Sequence, residues 1–269
     1  MRSPPIPLIF CLSLFALQPI FAKHVRSSVE AIRERQIADT RAPLLVAVDQ
    51  KDLDKMQSLI AQKANLDEIS DKSTALIAAC EGGFVEGAKV LLDAGADPNI
   101  HAVKGRCALF AAAGEGEAEI LKLLITHKVD LHTEDRIGAD ALMHAAHSQN
   151  RKTVQLLLDA GADVNTHRHD GWTALMLAVW IGNKEIVADL LAAKAEVNPQ
   201  NSMGDSPLII AANAGDESLV ELLLKNGADA SAKNKAGRNA FQVAEKAENR
   251  GVCEVLKKAA SATSAEDKP

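Results

Sequence analysis

Apolar positions along the chain fall into two kinds of helical segment that alternate. The first kind is short and alanine-rich, as in TALIAAC, CALFAAA, DALMHAA, TALMLAV and SPLIIAA. Alanine favours a helix, and its small side chain lets neighbouring helices approach closely. The second kind, such as KTVQLLLDAGA and SLVELLLKNGA, has apolar residues at i, i+3, i+4 and i+7, on one helical face. The pattern therefore predicts pairs of helices, a short one followed by a longer amphipathic one.

This pair recurs with a fixed period. Anchor leucines occur every 33 residues at Leu76, Leu109, Leu142, Leu175 and Leu208, with Phe241 continuing the series and Leu44 starting it. Triplets related to Gly-Ala-Asp begin at positions 95, 128, 161, 194 and 227, with the same period. Glycine in these triplets ends the second helix, and the glycines at 105, 138, 171, 204 and 237 mark a turn before the next short helix. Because one helix pair cannot bury its apolar face alone, the units are predicted to stack.

The repeated residues resemble the ankyrin-repeat family. DGWTALMLAVWIGNKEIVADLL and GDSPLIIAANAGDESLVELLLKNGADA are similar to its pattern of Thr-Pro-Leu, paired Ala and Gly-Ala-Asp, with a following asparagine at Asn99, Asn165 and Asn198. The resemblance covers about residues 37–260. It implies an all-α solenoid of about seven helix-turn-helix repeats with β-turn or hairpin tips, the last repeat being a cap.

One departure from the family pattern is consistent along the chain. The histidine that commonly follows the anchor leucine is replaced by Leu45, Ile77, Phe110, Met143, Met176, Ile209 and Gln242. We expect apolar packing to replace the hydrogen bond between repeats that this histidine provides in the family.

Both ends of the chain differ from the repeats. Residues 1–22 combine a positive start, an apolar run and a small residue at Ala22, which is typical of a cleavable signal peptide. An uncleaved anchor or a lipid-modified Cys11 are the alternatives, but a spanning helix needs about 20 apolar residues. Residues 23–36 are predicted to form a capping helix, and residues 261–269 a disordered tail.

Composition and charge narrow the class of partner. The chain has 269 residues, 47% of them hydrophobic and 25% charged, and its net charge of −6 argues against a nucleic-acid partner. Once the signal peptide is removed, Cys80, Cys107 and Cys253 remain, an odd number at wide spacing. They are interpreted as packed thiols rather than a disulfide framework.

No catalytic, cofactor or metal motif is present in the sequence. It contains no glycine-rich phosphate loop, GxSxG, HExxH or paired cysteine spacing, so we predict a protein that is not an enzyme. His144 and His147 are three residues apart on a predicted short helix, and imidazole pairs at that spacing can bind a metal. His144 takes the position of an apolar residue of the short helix, so a packed histidine is the favoured interpretation.

The two tryptophans are the strongest candidates for a functional site. In ankyrin proteins the positions of Trp172, Trp180 and Ile181 relative to the anchor leucine are variable and line the concave face. The resemblance therefore implies that these three side chains face a partner, with an indole packed between repeats as the alternative. The same offsets add His167, His169, Asp170, Arg136, Ile137, His147, Met203, Asp205 and Asn213 to the predicted partner-binding set. Aromatic and apolar anchors within a polar rim are typical of a protein-binding hot spot.

The last repeat carries four cations at equivalent positions, Lys233, Lys235, Arg238 and Lys246. These residues would either attract an acidic partner or only keep the cap soluble.

We therefore expect a non-catalytic, monomeric protein-binding module that is exported to the periplasm of a bacterium. A signal peptide on a bare ankyrin array resembles exported bacterial ankyrin proteins, which implies inhibition or shielding of an envelope enzyme or toxin. The alternatives are a secreted effector that acts on a host protein and a support factor for a periplasmic stress enzyme.

Overall fold

The computed structural model describes residues 41–266 of the chain, and in this part it consists of fourteen α-helices in seven consecutive pairs. The first helices of the pairs are α1 Pro43–Asp49, α3 Ala75–Glu81, α5 Ala108–Glu115, α7 Ala141–His147, α9 Ala174–Ile181, α11 Pro207–Ala214 and α13 Ala240–Lys246. The second helices are α2 Leu53–Ala61, α4 Val85–Asp93, α6 Ala118–Thr126, α8 Arg151–Asp159, α10 Lys184–Ala192, α12 Glu217–Lys225 and α14 Arg250–Glu266. One 3₁₀ turn, Val103–Gly105, precedes α5.

Polar caps define where most of the first helices begin. Thr173 accepts a hydrogen bond from the amide of Met176, and Asp140 and Ser206 cap α7 and α11 in the same way. A side-chain oxygen at this position satisfies one of the amides that the first helical turn leaves unpaired. The cap therefore places the anchor leucine two residues later, inside the first turn, in each of these repeats.

The anchor positions form the centre of the solenoid. Leu44, Leu76, Leu109, Leu142, Leu175 and Leu208 are all buried, and Phe241 is half-buried in the last repeat. The predicted apolar replacement of the family histidine is confirmed in six repeats, where Leu45, Ile77, Phe110, Met143, Met176 and Ile209 are also buried. Gln242 in the last repeat is exposed and forms a capping box with Asn239. First helices of neighbouring repeats therefore pack through two adjacent apolar positions.

Hydrogen bonds also join successive repeats on their polar side. The Asn99 side-chain oxygen accepts from the amide of Asp130, Asn165 from Glu196, and Asn198 from Asp229, each at 2.8 Å. The asparagines that follow the Gly-Ala-Asp triplets are thus explained, since each satisfies an amide of the next repeat.

Turn tips are linked through their backbones between residues 137 and 235. The amide of His169 donates to the carbonyl of Ile137 at 2.9 Å, that of Ser202 to Asp170 at 2.7 Å, and that of Lys235 to Met203 at 3.0 Å. The tips of the last four repeats therefore form one continuous row.

The C-terminal segment corrects one expectation. Helix α14 continues through Glu266, so residues 261–266 are helical rather than part of a disordered tail. Residues 259–265 contain four alanines, which extend a helix that already packs on α12. The predicted signal peptide, residues 1–22, and capping helix, residues 23–36, lie outside the described residues. Within residues 41–266, none of the helices has the length and apolar character needed to cross a bilayer.

Candidate functional site

Both tryptophans lie at one place on the fifth repeat. Trp172 is in the turn that precedes α9, and Trp180 is near the end of that helix. Their rings meet edge to face, with centroids 6.3 Å apart and an interplanar angle of 80°. Trp180 is 58% exposed, whereas Trp172 is half-buried and packs against the core. Trp180 is therefore open to a partner, whereas Trp172 is partly packed between the repeats, the alternative interpretation for an indole.

A cleft of about 380 Å³ opens beside the two indoles, between the fifth, sixth and seventh repeats. We call it the indole cleft; it is lined by Trp172, Trp180, Asn201, Met203, Asp205, Ile209, Ile210, Asn213, Ala214, Asn234, Arg238 and Val243. Aromatic and aliphatic side chains form its walls, and amides, one carboxylate and one guanidinium supply its polar groups. None of these side chains carries a hydroxyl, thiol or imidazole, and Asp205 supplies the one carboxylate of the lining.

Asn201 is a buried polar residue of the cleft lining. Its side-chain oxygen accepts from the amides of Met203 at 2.9 Å and Asp205 at 3.0 Å, which fixes the turn tip of the sixth repeat. Asn201 is only 4% exposed, and its Nδ2 has no hydrogen-bond partner among the described residues. A buried donor without an acceptor costs about 1–3 kcal/mol of folding free energy, which marks this amide as unusual.

The predicted partner-binding residues divide into four groups. Five of them line the indole cleft directly: Trp172, Trp180, Met203, Asp205 and Asn213. His147 stacks on the Trp180 indole, with an interplanar angle of 7° and a centroid distance of 6.4 Å. Five more lie along the row of turn tips: Arg136, Ile137, His167, His169 and Asp170. Ile181 is half-buried and lies outside the cleft lining.

Several cleft residues were absent from the predicted set. Asn201, Asn234, Ile209, Ile210 and Val243 come from the sixth and seventh repeats. Asn201 and Asn234 stand seven residues before the anchors Leu208 and Phe241, at the position of Asp135 in the fourth repeat. Their shared position in the repeat is therefore a sequence signal that could identify Asn201 and Asn234. Arg238 is predicted only as one of the basic residues of the last repeat.

His144 is a packed histidine, as its position in the repeat predicts. Its Nε2 lies 3.2 Å from the Asp135 carboxylate, and its ring lies against Phe110 at a centroid distance of 4.8 Å. Burial lowers the pKa of His144, and the Asp135 carboxylate offsets part of that effect. Among residues 41–266, no three His, Cys, Asp or Glu side chains are grouped to hold a metal ion.

The three cysteines of the described residues are free thiols. Cys80 and Cys107 are buried and Cys253 is half-buried. Desolvation raises the pKa of Cys80 and of Cys107, so these two stay protonated and unreactive at neutral pH. They pack as small apolar residues, as their spacing in the sequence indicates.

Comparison with known proteins agrees with the repeat architecture. The family model described as ankyrin repeats (3 copies) matches the chain over residues 20–102, 44–135, 109–201 and 175–266. The chain is also similar to the crystal structure of the ankyrin repeat domain of Bcl-3, described as a unique member of the IkappaB protein family. The two share 30% sequence identity at a TM-score of 0.73, over 80% of this chain and 97% of that one. None of the curated proteins matches the sequence.

Proposed function

The chain belongs to the ankyrin-repeat family, whose repeats form protein-interaction modules, and we propose that it binds a partner protein through the indole cleft and the adjoining row of turn tips. One observation carries this proposal. Ile137, Trp180 and Met203 belong to consecutive repeats and are 49%, 58% and 57% exposed. Large exposed apolar side chains on neighbouring repeats are typical of contact sites, because a partner that covers them removes apolar surface from water.

The indole of Trp180 is the strongest anchor of the surface. Ring contacts with Trp172 and His147 restrict its side chain, which reduces the side-chain entropy lost when a partner packs on it. Tryptophan is enriched among hot-spot residues, whose truncation to alanine costs about 2 kcal/mol or more, roughly 30-fold in affinity.

The proposal extends to where and how this surface acts. The features of residues 1–22 support export to a bacterial periplasm, where the chain would bind an envelope enzyme or toxin. Binding would inhibit or shield that partner by covering it with the cleft face of the repeats. The cleft lining supports a steric role, because most of its side chains are aromatic, aliphatic or amide groups that can contact a partner.

The double variant Trp180→Ala/Met203→Ala tests the surface. We expect it to weaken capture of the native partner from the envelope fraction at least about 30-fold relative to the parent chain. Its thermal unfolding should remain close to that of the parent, because both side chains are mostly exposed.

The matched control is Ile69→Ala/Val103→Ala, which removes two similarly exposed apolar side chains from turns of the second and third repeats. It should leave capture within a few-fold of the parent. Full capture by Trp180→Ala/Met203→Ala, or equal losses for both double variants, would reject the indole cleft as the binding surface.

A further inference from the structure

The turn tip and first helix of the last repeat carry unpaired positive charge. Residues 233–246 contain four cations and one carboxylate in a chain whose net charge is −6. We call Lys233, Lys235, Arg238 and Lys246 the basic rim. None of the four forms an ion pair within the described residues, whereas Arg151 and Arg168 pair with Asp189 and Asp170 in earlier repeats.

The basic rim is continuous with the indole cleft. Arg238 lines the cleft and also a hollow of about 190 Å³ whose wall includes Lys246. The two openings share Asn213, Arg238 and Val243, so they lie side by side on one face. Lys235 is joined to a residue of the cleft lining, since its amide donates to the carbonyl of Met203 at 3.0 Å. Cations therefore adjoin the apolar opening.

Two residues of the cleft lining carry a donor atom without an acceptor. Asn201 Nδ2 and Arg238 Nε are buried, and neither has a hydrogen-bond partner in the described part of the chain. Asp205 is the one carboxylate in the cleft lining, and its Oδ1 already accepts from Asn234 Nδ2 at 2.8 Å. A ligand rich in oxygen acceptors and negative charge complements this arrangement, while a cationic ligand would face Arg238 and the lysines.

We propose that the indole cleft and the basic rim together bind an acidic segment of the partner protein. An apolar side chain of that segment fills the space between Trp172, Trp180 and Met203. Carboxylates next to it pair with Arg238, Lys235 and Lys246, which orients the acidic end of the segment toward the last repeat. This inference rests on the proposed function, because it specifies the chemistry of the partner that the same surface binds.

A random decapeptide library without tryptophan, displayed on phage and selected against the full chain, tests this chemistry. Enriched peptides should combine Leu, Ile or Phe with neighbouring Asp or Glu. The selected peptide is then synthesised and titrated into the chain while tryptophan emission is recorded. The chain has two tryptophans, and both line the cleft, so the emission reports occupancy of this site.

Charge reversal at the rim gives the decisive comparison. Arg238→Glu/Lys246→Glu should weaken binding of the selected peptide at least about tenfold, and raising the salt concentration should weaken binding to the parent chain. The matched control Lys184→Glu/Lys225→Glu makes the same change in net charge on exposed residues of α10 and α12, and it should change the affinity less than twofold.

Enrichment of neutral or basic peptides, no enrichment at all, or equal effects of the two charge reversals would overturn the inference. Its failure is distinguishable from failure of the proposed function. Capture of the native partner that depends on Trp180 but is unchanged by Arg238→Glu/Lys246→Glu would keep the surface and reject the acidic segment.

Discussion

Residues within a single helix of this array have different environments and different roles. Helix α9 is apolar along its whole length, and its residues Ala174–Val179 are buried. Trp180, the next residue, is 58% exposed, although its side chain is the largest in the helix. The anchor Leu175 is buried in a helix that contacts the first helices of both neighbouring repeats, while Trp180 lies at an exposed position of the same helix. One residue step therefore separates a structural position from a candidate binding position.

His144 gives a residue-level prediction for pH dependence. Burial lowers its pKa in the folded chain, so between the folded and unfolded pKa values the unfolded chain binds the extra proton. The stabilising contribution is present above the ordinary histidine value of about 6.5 and is lost as the pH falls through the lower folded value. We expect the parent chain to lose unfolding free energy from pH 7 to pH 5 more steeply than the variant His144→Gln, as measured by urea denaturation.

The control for this measurement is His132→Gln, which changes an exposed histidine in the preceding turn. It should keep the slope of the parent. A His144→Gln chain with the same slope as the parent would show that the imidazole titrates alike in both states.

At the scale of the helical element, the residue that ends the second helix is glycine in some repeats and lysine in others, and both adopt a left-handed backbone conformation. Gly95, Gly161 and Gly227 end their second helices at φ of 95°, 90° and 88°, and Lys128 and Lys194 occupy the equivalent position at 59° and 68°. The backbone hydrogen bonds are the same in both cases. Ala162 donates to Leu157, and Ala195 donates to Leu190, each at 3.0 Å. Packing of the repeats therefore fixes the conformation of this turn. Lysine adopts there a left-handed conformation that glycine adopts without strain.

Lys194→Gly should consequently stabilise the chain. Relief of the left-handed strain is expected to raise the unfolding free energy by about 1 kcal/mol, measured by urea denaturation. The matched change Lys225→Gly, inside the last turn of α12, should lower it by about 1 kcal/mol, because glycine weakens a regular helix. The same sign for both variants would contradict the assignment of strain to Lys194.

At the scale of the whole molecule, the seven helix pairs form an array in which each pair packs on its neighbours. The indole cleft is a product of this arrangement, since its walls come from three successive repeats. Stability in such arrays is a sum of units and interfaces. A substitution in the fifth repeat therefore affects the packing at both of its interfaces as well as the cleft.

Export gives the prediction that concerns the whole chain. If residues 1–22 are a cleavable signal, the protein isolated from the envelope fraction should begin at Lys23, as N-terminal sequencing or intact mass would show. Replacing residues in the run IPLIFCLSLFA by charged ones should keep the full-length chain in the cytoplasm, since an apolar segment is needed for export. A native protein that starts at Met1 outside the envelope would contradict this part of the proposed function.

Much of the fold could be predicted because short-range sequence patterns determine it and recur in every repeat. The 33-residue period gave the number of helix pairs, the buried anchors and the turns, since capping, helix propensity and apolar periodicity act over a few residues. The residues that would replace the family histidine were identified, and six of the seven are buried. The end of helix α14 differs from the prediction. Its last residues are polar as well as alanine-rich, so their composition alone favours a disordered tail, whereas the helix continues through Glu266.

The sequence by itself therefore determined the solenoid, its register and the location of both indoles in one repeat. Only the tertiary structure decided that Trp172 packs against the core while Trp180 stays open, and that Asn201 and Arg238 join them. These side chains are far apart along the chain and line one cleft through the stacking of successive repeats, as Trp172 and Arg238 do. The rotation between repeats and the direction of each side chain depend on packing across interfaces, which a local pattern cannot encode.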